Sequence, residues 1–351
     1  MKILMSSHYF LPSIGGLENV SAMLAEEFVR KGHEVRLVTQ TTTNGTDRSS
    51  FQVFRRPSTS TLLALTHWSD IYLQNSVSLR TAWPLVFVRR PWVVAHQTWI
   101  PRSGPGALHG RLKHFVLRFA TSVSISHDVA NHVARPSVVI PNPYDDGVFH
   151  EIPTVTRDRD LVFVGRLVSD KGPDLLLRAI ARLKSVDFRP QLTIVGAGPE
   201  DPSLRAIVKE LELQSQVFFA GVKRGRDLAE LLNRHKIMVV PSLFHEPFGI
   251  VALEGIACGC VVVGSEGGGL KDAIGSCGIT FPNGDEHALA TRLSTLLTVP
   301  EFQRPYRTKA AAHLSRHTKA VVAEAYIQVL KATLDGTRIQ SEVPRPATHA
   351  E

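Results

Sequence analysis

Short runs of β-branched and apolar residues alternate with stretches of helical period along nearly the whole chain, and that alternation admits few folds. Consecutive strand–helix–strand units of this kind build parallel sheets covered by helices. Ile3–Ser6, "HEVRLVTQ", Trp92–His96 ("WVVAH") and Ser137–Asn142 ("SVVIPN") have strand character, and Gly16–Lys31 reads as a helix closed by Gly32. The pattern stops at "IPNPYDDGVFHEIPTVTRDRD", a Pro-, Asp- and Gly-rich stretch without sustained period, which is expected to be a linker. It then restarts with "LVFVGR", "QLTIVGAG", "QVFFAG", "KIMVVPS", "CVVVGS" and "GITFPNG", each followed by a helical segment. A chain of 351 residues suits two domains. The expectation is therefore α/β, with two doubly wound parallel-sheet domains over 1–150 and 151–318 and a disordered tail over 338–351.

Composition narrows the function classes. No segment approaches the roughly 20 uninterrupted apolar residues that span a bilayer, and the N-terminal apolar stretch is short for a signal-peptide core, so the default expectation is a cytoplasmic protein. Three cysteines, Cys258, Cys260 and Cys277, provide neither a disulfide framework nor zinc-ligand spacing, and they are expected to be buried thiols. "VGAGPED" has Asp201 where a dinucleotide fingerprint needs its third glycine, and no Gly-x-x-x-x-Gly-Lys-Ser/Thr loop is present. The net charge is +8, and Met1–His150 holds fifteen Lys and Arg against nine Asp and Glu. An anionic partner, if there is one, belongs to the first half.

Parallel sheets place ligands at the carboxyl ends of their strands, and the chemically suggestive residues cluster there. In "FVGRLVSDKGPDLLLRAI", Arg166 and Lys171 follow a strand closely enough to clamp a diphosphate; the plainer alternative is a solvated Arg and a Lys in a turn. In "FHEPFGIVALEGIACGC", a helix is expected to start near Pro247 and Gly249 and to end at Gly259. Glu246 then stands just before it, Glu254 about 12 Å further along at 1.5 Å per residue, and the first-turn amides between them offer an anion site. A capping Glu and a buried Glu paired with an Arg would explain the same residues. Gly15 and Gly16 lie between the first strand and the first helix, where close approach to a ligand or a plain tight turn are both open. His96 ends a strand and can donate a hydrogen bond or buffer charge.

Between Ile71 and His127 there is no acidic residue, while Arg80, Arg89, Arg90, Arg102, Arg111, Lys113 and Arg118 all fall inside. Within this stretch Leu108, Leu112, Phe115 and Phe119 share one helical face, and Arg111, His114 and Arg118 another. Such a helix can lie on an anionic membrane through Arg111, Lys113 and Arg118, grip a phosphate-bearing acceptor, or pack on a sheet with its basic face solvated. Aromatic residues do not interleave with the charges as a nucleic-acid stacking platform requires, so nucleic acid is not expected as a partner.

Taken together, "MKILMSSHYFLPSIGGLENV", "VFVGRLVSDKG", "IVGAGPE" and "PSLFHEPFGIVALEGIACG…VVVGSEGGGLKDAI" resemble the large family of retaining, nucleotide-sugar-dependent glycosyltransferases with the GT-B fold, family 4. The similarity extends to about residue 330, and the Glu-x7-Glu segment in its Pro-Phe-Gly context is its most specific part. The resemblance implies two Rossmann-like domains facing across a cleft, with 319–337 assigned to a final helix, around Lys319–Leu334, returning to the first domain. It implies a UDP- or GDP-sugar donor, a glycan or lipid-linked acceptor, and no cofactor or metal. Residue by residue, it assigns the donor diphosphate to Arg166, Lys171, Gly15, Gly16 and the amides of Ile250 and Val251. The transferred sugar falls to Glu246, Phe248 and Gly249, and the ribose to Glu254. His96 would reach the donor sugar and, with Glu246, form the catalytic pair. Lys223 and Arg224 of "GVKRGRD" are weak candidates for the base. Cys260–Val261, where the family commonly has Pro, and Asp272, where it commonly has Glu, depart from the pattern without touching these contacts. A nucleotide-sugar-binding protein without turnover, or a reversible phosphorylase-like or sucrose-synthase-like reaction, would use the same residues.

Overall fold

The computed structural model describes residues 1–13, 15–43, 45, 49–100, 107–133 and 135–337. The expected tail, and Arg102 of the acid-free stretch, lie outside them. The chain divides into two compact units, one formed by Met1–Pro143 with the segment that begins at Lys319, the other by Tyr144–Thr318.

In the first unit, β1 (Lys2–Ser7), β2 (Glu34–Thr39), β3 (Gln52–Arg55), β4 (Ile71–Asn75), β5 (Trp92–His96), β6 (Thr121–Ser124) and β7 (Ser137–Val139) form one parallel sheet in the order β3-β2-β1-β4-β5-β6-β7. β1 and β4 are buried along nearly their whole length. Leu4, Val38, Tyr72 and Val94 meet in one core cluster, and each buried side chain of this size contributes roughly 1.5–3 kcal/mol. The helix Gly16–Arg30 ends where Gly32 takes a left-handed turn, φ 83°. The helix Lys319–Leu334 packs on it, and Lys31 Nζ contacts Glu324 Oε2 at 2.6 Å.

The second unit repeats the plan with β8 (Arg159–Val164), β9 (Leu192–Val195), β10 (Val217–Gly221), β11 (His235–Val240), β12 (Val261–Ser265) and β13 (Gly278–Phe281), all parallel, in the order β10-β9-β8-β11-β12-β13. Leu161, Phe163, Ile194, Val239 and Val263 project from the strands into a core completed by Leu176, Leu177 and Ile180 of the helix Pro173–Ser185. The three cysteines are buried there as expected, and burial pushes the Cys260 thiol up to about 12 and Cys277 to about 11.

In both sheets the strand order turns back beside the first strand of the unit, β1 or β8. That reversal leaves a crevice at the carboxyl ends of neighbouring strands, the usual ligand position in this architecture. No helix among the described residues is long and apolar enough to cross a membrane.

Candidate functional site

The two segments singled out in the second half meet because β8 and β11 are neighbours, with Leu161 in register with Ile237. The chain leaves β8 at Gly165 and makes a short 3-10 turn, Ser169–Lys171, before the helix Pro173–Ser185. It leaves β11 at Pro241 and enters the loop that carries Glu246. The amide of Leu243 donates to the Asp170 carbonyl at 2.9 Å, which ties the two loops together.

Lys171 and Glu246 form an ion pair, Nζ to Oε1 at 2.6 Å. Ser242 Oγ donates to the same carboxylate oxygen, also at 2.6 Å. Lys171 additionally sits 4.7 Å from the centre of the Phe244 ring. Glu246 is 7% exposed, and Oε2 takes no hydrogen bond from the described residues. One carboxylate oxygen is therefore fixed and the other is left to accept. The sequence reading gave Lys171 and Glu246 separate tasks; they are one unit.

The backbone of Glu246 is anchored too. It bridges in parallel to Gly268, and its carbonyl accepts from the Gly269 amide at 2.7 Å. Asn283 holds the surrounding loops, donating through Nδ2 to the Ser242 carbonyl at 3.1 Å and accepting at Oδ1 from the Gly267 amide at 2.8 Å. Ser242 and Asn283 escaped the sequence reading. The Pro-Ser that ends "KIMVVPS" was visible, but only the fold shows that its hydroxyl turns onto Glu246.

The helix after Glu246 spans Ile250–Ala257 and is capped by Gly249 at φ 100°, a left-handed conformation that favours glycine. A Cβ there would also lie 2.6 Å from Leu270 Cδ1. The first-turn amides, Ile250 and Val251 among them, have no carbonyl one turn earlier within the helix to accept from them. Phe248 is 2% exposed, its ring beside His317, so only its backbone can face a ligand.

The spacing expected between the two glutamates needs correction. Helical rise applies only from Ile250, which places Glu254 about 6 Å along the helix, because Glu246 sits in a bridged loop rather than on the helical path. Glu254 is half-buried between Leu253 and Gly255, and among the described residues nothing donates a hydrogen bond to its carboxylate. Burial, then the nearby charge of Asp145, pushes its pKa up from 4.5 to about 7. The Glu–Arg pair that would have made Glu254 a structural residue does not form.

Arg166 follows β8, is exposed, and makes no side-chain hydrogen bond or ion pair with the described residues. Lys223 and Arg224 are exposed beyond β10, the edge strand at the far side of β9 from β8.

Two of the expected positions lie in the first unit. Gly15 precedes the helix Gly16–Arg30 in an extended conformation, φ 177°, which any residue adopts. A Cβ there would stand 2.5 Å from Glu18 Oε2, the end of a flexible side chain that can turn aside, so neither backbone nor space demands glycine at this position. His96 is 2% exposed, with Nε2 3.1 Å from Ser122 Oγ. Burial, with His114 nearby, lowers its pKa to about 4. It is a neutral imidazole at pH 7, so charge buffering is removed from its possible roles and hydrogen bonding remains.

Residues 148–313 match the family model of glycosyl transferases group 1. A D-inositol 3-phosphate glycosyltransferase of Stackebrandtia nassauensis is 35% identical over 179 residues, which cover 47% of this chain and 39% of that protein. The chain thus spans well under two thirds of that relative's length. Among solved structures, a glycosyltransferase of Rickettsia africae superimposes with a TM-score of 0.80 at 16% identity, covering 96% of this chain and 99% of the other. HepE of Anabaena, solved in complex with UDP and glucose, gives 0.78 at 20% identity over 95% of this chain and 100% of its own. The fold is that of the GT-B glycosyltransferases, and the group 1 match covers the unit that holds Arg166, Lys171, Glu246 and Glu254.

Proposed function

We propose that the chain is a retaining glycosyltransferase that moves a sugar from a UDP- or GDP-type donor to a glycan or lipid-linked acceptor. The observation that carries this reading is the Glu246 carboxylate, one oxygen fixed by Lys171 and Ser242 and the other open, at the head of a helix N-terminus and inside the group 1 match. The relatives' nucleotide complexes and glycosyltransferase names support it.

In this mechanism Glu246 Oε2 accepts hydroxyl hydrogen bonds from the sugar being moved. Arg166, the remaining N–H donors of Lys171 and the amides of Ile250 and Val251 take the diphosphate, and Glu254 takes the ribose hydroxyls. The acceptor oxygen bonds to the anomeric carbon on the face from which the diphosphate leaves. Its proton passes to a departing phosphate oxygen, and the cations stabilise the charge that develops there. This chemistry places no cofactor or metal among the required parts.

A lipid-linked acceptor at an anionic membrane is the reading favoured by the helix Ala107–Val116 and the turn after it. The face expected to be able to pack inward is solvent-exposed instead: Leu108 82%, Leu112 49%, Phe115 53% and Phe119 74%. Val116 and Leu117 enter the core in their place. Arg111 and Arg118 flank this apolar row, are exposed, and form no ion pair with an acid among the described residues. Apolar side chains ringed by cations complement an anionic bilayer surface.

A thermal-shift screen over UDP-, GDP-, ADP- and dTDP-sugars tests the donor; a ligand at 100 times its dissociation constant should stabilise by about 2.7 kcal/mol. Release of nucleoside diphosphate with an anomer-retained product confirms transfer, and Glu246→Ala should lower that rate by at least about 100-fold. Stabilisation without any release would identify a nucleotide-sugar-binding protein instead. Flotation with anionic vesicles at low ionic strength tests the membrane reading, which fails if Phe115→Ser/Phe119→Ser floats as well as the parent.

A further inference from the structure

The two groups that hold Glu246 differ in how freely they move. Lys171 is a long side chain, 23% exposed, on the turn before the helix Pro173–Ser185, and its ammonium can swing about a flexible stem. Ser242 is 1% exposed and carries its hydroxyl one carbon from the backbone. That backbone is clamped from both sides. The Ser242 carbonyl accepts from Asn283 Nδ2 at 3.1 Å, and the Leu243 amide, the other polar group of the same peptide, donates to the Asp170 carbonyl at 2.9 Å.

Asn283 is fixed in turn. Its Oδ1 accepts from the Gly267 amide at 2.8 Å, so both ends of the side-chain amide are matched and it fits only one way round. A Cβ on Gly267 would stand 2.8 Å from Nδ2 and from Oδ1 of Asn283, which shows how closely the two segments approach. Strand order makes this possible. β8, β11, β12 and β13 are neighbours in that sequence, and the segments leaving their carboxyl ends supply Lys171, Ser242 with Glu246, Gly267 and Asn283. In the mechanism above Lys171 faces two anions, Glu246 and the donor diphosphate. Its charge stays near both, but N–H groups turned to a phosphate no longer direct the carboxylate. A hydroxyl on a clamped peptide, 2.6 Å from Glu246 Oε1, keeps doing so.

We propose that Ser242 is a positioning residue for transfer: it keeps Glu246 Oε2 aimed at the sugar while Lys171 engages the diphosphate, and Asn283 holds Ser242 in place. The consequence is selectivity for the intact donor over the spent nucleoside diphosphate. Both make the diphosphate contacts, and only the donor carries the sugar that Glu246 holds. This inference rests on the transferase reading above, but one arm of its test needs no nucleotide.

Titration calorimetry on the full-length chain compares UDP-glucose with UDP and GDP-mannose with GDP. Ser242→Ala should weaken the nucleotide sugar at least about tenfold, the scale of a lost charge-assisted hydrogen bond, and change the nucleoside diphosphate by less than about twofold. Asn283→Ala should lower the same ratio by a smaller factor. A ratio that keeps the parent's value in both variants overturns the assignment, and so does equal weakening of both ligands, which a purely structural serine would produce. Urea melts of Ser242→Ala, Glu246→Ala and the double variant are read without ligand. The double variant's shift should be smaller than the sum of the single ones, because each substitution removes the same bond. Additive shifts overturn the anchor. A parent that binds none of these ligands refutes the transferase reading alone, and the melts then decide on Ser242 by themselves.

Discussion

Glu254→Gln separates what Glu254 costs the fold from what it does for a donor. In the unfolded chain the carboxyl ionises near 4.5, whereas in the folded protein burial and Asp145 hold its proton on until about 7. Between those values the folded state binds more protons than the unfolded one, so stability falls as pH rises from 4.5 through 7 and is level above it. At about 1.4 kcal/mol per tenfold change in the ionisation constant, the whole cost is about 3 kcal/mol. Glutamine cannot ionise. The variant should therefore match the parent at pH 4.5 and exceed it by up to about 3 kcal/mol at pH 8. For a domain of this size that is roughly 6–12 °C in melting temperature. Scanning calorimetry of both proteins between pH 4.5 and 8.5, without nucleotide, measures it. An equal gap at both ends of the range, or none at pH 8, would refute the argument that burial strains this carboxylate. If Glu254 holds the donor's ribose as proposed, the same variant should also lose donor affinity, because the ionised carboxylate is the better acceptor of two hydroxyl hydrogen bonds.

Three further outcomes follow from the geometry. Lys171→Met strands the Glu246 carboxylate beside Ser242 and should cost about 3 kcal/mol; the double variant Lys171→Met/Glu246→Gln should recover most of that stability in urea melts and none of the transfer activity. Gly172, at φ 66°, faces the Pro241 carbonyl oxygen closely, so Gly172→Ala should cost about 1–3 kcal/mol and raise the donor KM by moving the Lys171 turn. His96 and His235 both have pKa values lowered to about 4, chiefly by burial, so the stability they confer is present above pH 6.5 and lost as pH falls towards 4. His235→Gln should flatten that acid limb in a pH series of melting temperatures, opposite in sign to the Glu254 effect.

Much of the fold was legible because its strands are apolar and β-branched. β5 lies where the residues place it, and the helix Lys319–Leu334 where the family resemblance does. The strands that escaped are instructive. β4, "IYLQN", is buried throughout, yet it carries Gln74 and Asn75, whose Nε2 and Nδ2 donate to Thr81 and Ser21, while Asn75 Oδ1 takes no hydrogen bond from the described residues. Its polar residues break the apolar pattern locally, and only distant partners make their burial affordable. β6, "TSVS", resembles a turn until Ser122 meets His96 and Ser124 meets Ser137.

The site divides in the same way. Arg166, Lys171, Glu246 and Glu254 were readable because each sits a fixed number of residues from a strand end or a helix start. What they do to one another was not readable, because the Lys171–Glu246 pair spans 75 residues and depends on β8 lying next to β11. The helix Ala107–Val116 shows the limit most plainly. Periodicity separates an apolar face from a basic one but does not say which of them the core will cover, since that depends on where the flanking segments attach. Here Val116 and Leu117 anchor the helix end, and the apolar row from Leu108 to Phe119 is turned to solvent. If those residues were merely misplaced core, replacing them with serine would cost stability. Because they are exposed, Leu112→Ser/Phe115→Ser should leave the melting temperature within about 2 °C of the parent, as surface changes of about 0.5 kcal/mol do, while release from anionic vesicles becomes complete.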